Sequence, residues 1–115
     1  MPAGKHNIII DQGSDFALQL VVKENGVARD LTGYSARAQL RKTKKDVATA
    51  ADFVCTLPTP AQGTVKMALD FATSEALDAG IYYYDLEIYL SDSGGDTAVS
   101  RLLQGTATVT QEVTR

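Results

Sequence analysis

The chain of 115 residues has no tryptophan, one cysteine, one histidine and three prolines, and no apolar run long enough to span a bilayer. Each scarcity narrows what it does. The lone Cys55 excludes an internal disulfide and any cage of cysteines around a metal, so it is read as a small hydrophobe, buried or half-buried. The lone His6 leaves a Ser-His-Asp arrangement with a single base close to the N-terminus, whereas nucleophilic catalysis needs a base held in place by its neighbours. His6 is therefore read as a solvated terminal side chain. Before Asp11 the only apolar run is Ile8-Ile9-Ile10, too short for the hydrophobic region of a signal peptide, which predicts a chain made without the general secretory route. A formal net charge of −3 lacks the basic excess of a general polyanion binder, and nucleic acid is set aside as the main partner.

What is present is the composition of one globular domain, 44% hydrophobic and 22% charged, which at this length supports one core. The dominant pattern is alternation with a period of two, the mark of strands with one face on a core and one in water. Residues 15–23 show it through Phe16, Leu18, Leu20 and Val22, and Asn25-Gly26 then supplies a tight turn at which both central residues tolerate positive φ. Residues 34–41 set Ala36, Ala38 and Leu40 against Arg37, Gln39 and Arg41, a strand with a basic outer face. Residues 52–57 read as a short strand stopped by Pro58 and Pro60.

A second pair follows. Residues 64–70 alternate through Val65, Met67 and Leu69, and residues 81–91 through Tyr82, Tyr84, Leu86, Ile88 and Leu90. Between them residues 73–79 read as one helical turn, capped by Ser74 and closed by Gly80. Residues 92–96 read as a hairpin loop, and residues 97–110 as a last strand bulged at Gly105. Asp78-Ala79-Gly80-Ile81-Tyr82 has the spacing of a tyrosine corner, with Tyr84 inward where an antibody domain carries its second cysteine. Together these features predict an all-β fold, an immunoglobulin-like β-sandwich of about seven to nine strands with one short helical turn. Residues 1–10 read as an N-terminal arm and 11–115 as a single β-sandwich domain, with Gly80, Tyr82 and Tyr84 in structural roles.

No catalytic, cofactor or metal site is predicted. Asp85 and Glu87, two apart on one strand, bring carboxylates about 6 to 7 Å apart, near the glycosidase range, yet sit on an open face beside Tyr83 and Tyr89 rather than in a cleft. The acidic loop 92–96 lacks the ligand number of a calcium loop, and its glycines serve the turn. Arg41, Lys42, Lys44 and Lys45 form a basic run, with Arg37 and Lys66 expected nearby; without interleaved aromatics it suits an acidic protein neighbour better than nucleic acid. Tyr83 and Tyr89 share the outward side of their strand, as interface tyrosines do. The remaining contact candidates lie in the terminal segments, Ile8, Ile9 and Ile10 at one end and Val113 and Arg115 at the other, since termini can order on binding.

Four stretches carry a resemblance: Ile8-Ile9-Ile10-Asp11-Gln12-Gly13-Ser14-Asp15-Phe16; Asn25-Gly26 followed by Asp30-Leu31-Thr32-Gly33-Tyr34-Ser35-Ala36-Arg37; Leu77-Asp78-Ala79-Gly80-Ile81-Tyr82-Tyr83-Tyr84-Asp85-Leu86; and the ending from Gln104-Gly105 to Val113-Thr114-Arg115. In this order the chain resembles small β-sandwich virion structural proteins of tailed bacteriophages, similar to the N-terminal module of phage baseplate upper proteins. The resemblance implies a non-enzymatic part of a virion, assembled in the host cytoplasm and most naturally associated with the tail or baseplate. Its partners would be other virion proteins in many symmetric copies, without nucleic acid or membrane. A capsid decoration (cement) protein and a receptor- or carbohydrate-binding module are the alternatives, the last weakened by the absence of tryptophan.

Overall fold

A computed structural model describes residues 4–43, 49–92 and 95–113. In chain order the strands are β1 (Gly4–Lys5), β2 (Ile8–Asp11), β3 (Phe16–Val21), β4 (Lys23–Glu24), β5 (Val27–Ala28), β6 (Ser35–Arg41), β7 (Ala51–Asp52), β8 (Val54–Thr56), β9 (Thr64–Leu69), β10 (Gly80–Asp92) and β11 (Gly95–Thr110). They form a large sheet in the order β1-β11-β10-β6-β7, with β2 also on β11, a small sheet β3-β9-β8, and the β4-β5 ribbon. With β3, β9 and β8 as strands B, E and D, and β11, β10, β6 and β7 as G, F, C and C′, this is an immunoglobulin-type sandwich. It departs from that plan at one point. Strands β1 and β2 pair in parallel with β11, with Ile8 opposite Ala107 and Ile10 opposite Val109, and leave β3 at the edge of its sheet.

Alternation builds the core. Ile8 and Ile10, Ala38 and Leu40, Tyr82, Tyr84, Leu86 and Ile88, and Ala107 and Val109 point inward from the large sheet, against Val65, Met67 and Leu69 of β9. Met67, Leu86 and Ile88 are wholly buried, so truncating any of them to alanine should cost about 2–5 kcal/mol. In place of a disulfide, an aromatic ladder crosses the sandwich: Phe16 and Phe53 ring centroids stand 6.1 Å apart, and Phe53 meets Tyr84 edge-on at 6.4 Å. Phe53 sits where the chain leaves β7 on one sheet for β8 on the other, so residues 52–57 are not one strand but a crossing pinned by a buried ring.

Four further expectations are corrected. Residues 4–10, expected within an N-terminal arm, form β1, most of β2 and the connection between them on the large sheet, and burial of Ile8 and Ile10 removes them as contact residues. The irregularities of β11 lie opposite Leu86/Glu87 and Ile88/Leu90, with Ala98 at φ 51°, while Gly105 pairs regularly with Tyr84. Gly105 is glycine for another reason: a Cβ there would stand 2.4 Å from the His6 carbonyl oxygen, where the β1-β2 connection crosses it. The helix α1 (Phe71–Glu75) begins earlier than expected, with Asp70 as cap accepting from Thr73 N–H at 2.8 Å. Ser74 lies inside it, fully buried, with its hydroxyl donating to Ser14 O and accepting from Gly13 N–H. Finally, Lys66 lies on β9, on the opposite side of the sandwich from Arg37 and Arg41.

The turn at Asn25-Gly26 has both residues at positive φ, 53° and 80°, the geometry of a two-residue hairpin. At the other end of the chain's alternating run, the Tyr82 hydroxyl donates to the Asp78 carbonyl oxygen at 2.8 Å.

Candidate functional site

Strand register assembles a side-chain lattice on the outer face of the large sheet, because residues directly opposite in neighbouring strands share a face. The first row is aliphatic, Ile9, Thr108 and Ile81. Above it lie Thr106, Tyr83 and Arg41; then Lys5, Gln104, Asp85, Gln39 and Asp52; then Arg101, Glu87 and Arg37; and finally Tyr89 beside Ser35. Ile9 and Ile81 are 66% and 62% exposed, an apolar end that no described residue covers.

Charge is paired across the lattice. Arg37 Nε donates to Glu87 Oε1 at 2.9 Å while its guanidinium stacks 4.4 Å from the Tyr89 ring centroid. Arg101 Nε lies 3.3 Å from Asp85 Oδ2, and Arg41 donates to Gln39 Oε1 at 2.8 Å. Partial burial pushes the Asp85 carboxyl up from its ordinary value, helped by the neighbouring Glu87 and opposed by Arg101, Arg41 and Arg37. Beside Asp85 runs an open groove of about 390 Å³ between β6 and the β1-β2 connection, walled by Tyr83, Gln39, Arg41, Arg101 and Asn7.

The sequence-predicted residues divide as follows. Tyr83, Tyr89 and Arg41 come together on this face, joined by Ile9, whereas Lys42 turns its Nζ to 6.0 Å from the inward-facing Tyr82 ring. Val113 is exposed, beyond the end of β11. Lys44, Lys45 and Arg115 lie outside the described residues. Sequence reading missed Lys5 and Arg101 as members of one surface, while Ile81 lies on the outward side of its strand with Tyr83 and Tyr89, as the alternation indicated. The signal for Arg101 was hidden by the displaced register of β11, and that for Lys5 by a parallel pairing with residues nearly a hundred positions away.

The suspected chemistry has other roles. His6 is used through its backbone, the N–H donating to Gln104 O at 3.0 Å and the carbonyl accepting from the Tyr84 hydroxyl. Asp85 and Glu87 each face an arginine on an open sheet. Among the described residues, no group of three His, Cys, Asp or Glu stands close enough to hold a metal ion, and no helix is long and apolar enough to cross a membrane. Burial raises the Cys55 thiol to about 11.

No family model and no curated protein matches the sequence. Among solved structures, the chain is similar to AggA, the major subunit of aggregative adherence fimbriae type I from Escherichia coli, at 10% identity and a TM-score of 0.39, over 94% of this chain and 91% of that one. It is also similar to the extracellular domain of the voltage-gated sodium channel beta4 subunit, at 10% identity and a TM-score of 0.38, over 98% and 97%. Likeness at this level carries no argument about what the chain does.

Proposed function

We propose that this chain is a non-enzymatic structural component of a tailed bacteriophage virion, associated with the tail or baseplate, that docks to a neighbouring virion protein through the outer face of its large sheet. The observation that carries the docking part is the lattice itself. Tyrosine and arginine, the residue types enriched in protein interfaces, are held in register on a rigid sheet and flanked by the exposed pair Ile9 and Ile81. The Arg37-Glu87 pair and the Tyr89 stack fix long side chains before contact, which lowers the entropy cost of binding. The virion assignment rests on the four ordered sequence stretches.

Mass spectrometry of purified, nuclease-treated particles from a phage carrying this gene tests the assignment. The chain should be present in stoichiometric, many-copy amount. Absence from intact particles, with abundance in the infected cell, would overturn it.

A further inference from the structure

We infer that the free edge of β3 is a self-association site, where two copies of this chain pair antiparallel about a two-fold axis through Gln19 and join their small sheets into one. The inference does not depend on the virion assignment. It starts from the unequal treatment of the sheet edges. On the large sheet the edges are β7, of two residues, and the interrupted β1 and β2, of two and four. On the small sheet β8 has three residues and is followed by Pro58. Strand β3 alone presents six residues, Phe16-Ala17-Leu18-Gln19-Leu20-Val21, without charge or proline, and no described segment pairs with its outer side. Such a strand is a template for another chain, and natural domains that avoid pairing interrupt or charge it.

Hydrogen-bond parity identifies the groups on offer. Val22 N–H donates to Gly63 O at 2.7 Å, one step beyond the Val21-Thr64 pair, while Thr64 N–H turns away from β3 toward Thr59 O. Alternation along an antiparallel ladder then turns the main-chain groups of Phe16, Leu18 and Leu20 toward β9 and those of Ala17, Gln19 and Val21 to the free edge. The β4-β5 hairpin does not obstruct it, since Arg29 stands over Gly63 on the β9 side. Inward from this edge Phe16, Leu18 and Leu20 are only partly buried, so a second strand would complete their cover.

Charge selects the occupant and its register. With Gln19 opposite Gln19 of the second copy, Ala17 meets Val21 and all three open positions of each strand are satisfied, by about six hydrogen bonds across the pair. The same register sets exposed Asp15 opposite exposed Lys23, twice, once on each side of the axis. A register centred on Leu18 would place Asp15 against Val21 and leave Lys23 without a counter-charge. Strand β3 and its flanks are thus complementary to themselves.

Sedimentation velocity across a concentration series, read with amide exchange, tests the inference. The wild-type chain should form a reversible dimer in which the amides of Ala17, Gln19 and Val21 gain protection as concentration rises. Gln19→Cys in a Cys55→Ala background should close a disulfide between copies under mild oxidation, because Cα atoms of a hydrogen-bonded pair stand about 5.5 Å apart. Gln19→Pro, which removes an edge N–H that the fold does not use, should be monomeric with an unchanged circular dichroism spectrum. Lys23→Glu should weaken the dimer by about tenfold. A chain that stays monomeric throughout, with those three amides exchanging freely at every concentration, would overturn the inference. So would a dimer that survives Gln19→Pro. Should Gln19→Pro fail to fold, the wild-type amide protection decides alone.

Discussion

Replacing Gly105 by alanine reads out how the first strands are held to the sandwich. Gly105 has no positive φ, and in ordinary strand backbone Gly→Ala is favourable by about 0.4–1 kcal/mol through the unfolded chain. Here the new Cβ would stand 2.4 Å from the His6 carbonyl oxygen, 2.9 Å from its carbon and 3.0 Å from Asn7 Oδ1. The nearest obstruction is backbone, so the β1-β2 connection must retreat by about 1 Å to reach ordinary contact. That movement strains three bonds: the Tyr84 hydroxyl to His6 O, His6 N–H to Gln104 O at 3.0 Å, and Thr106 N–H to Asn7 Oδ1 at 3.1 Å. Tyr84 is the most sensitive, because a buried hydroxyl left without its partner costs about 1–3 kcal/mol. The net expectation for Gly105→Ala is a loss of about 2–4 kcal/mol. Urea denaturation measures it, and in a double-mutant cycle Tyr84→Phe should recover part of the loss, since the two changes share a bond. A Gly105→Ala variant as stable as wild type or more so would refute the close crossing.

Two further predictions concern single side chains. Tyr82→Phe removes the bond to Asp78 O and should cost about 1–2 kcal/mol by chemical denaturation, more than Tyr83→Phe on the outer face; equal losses would contradict the assignment of the two faces. The folded Cys55 thiol, raised to about 11 from its ordinary 9.0 by burial, should resist iodoacetamide at pH 8 and react on unfolding. Since the folded value is the higher, the stability that the neutral thiol contributes is full below pH 9 and falls away as pH rises from 9 to about 11; rapid native alkylation at pH 8 would count against its burial.

The fold was legible where local chemistry decides it. Alternation through Tyr82, Leu86 and Ile88 and through Ala36 and Leu40 marks strands because a half-buried sheet demands that period, and Asn25-Gly26 marks a turn because both residues take positive φ. What stayed hidden depends on distant partners. The run Ile8-Ile9-Ile10 looks like an arm until β11 is placed beside it, and Gly105 looks like a bulge until His6 crosses it. Residues 51–57 carry no local sign that Phe53 divides them between sheets. The same holds for the docking face: Tyr83, Tyr89 and Arg41 could be read along strands, whereas Lys5, Ile9 and Arg101 join them only through cross-strand register.

The proposed docking face is tested most directly by a cryo-electron-microscopy reconstruction of the assembled particle, at a resolution that places this sandwich side chain by side chain. The account predicts many symmetric copies with the Arg37, Tyr83 and Arg101 rows and the Ile9-Ile81 end packed against a neighbouring virion protein. Copies whose large sheet faces solvent across those rows, or particles with no density for the chain, would contradict it.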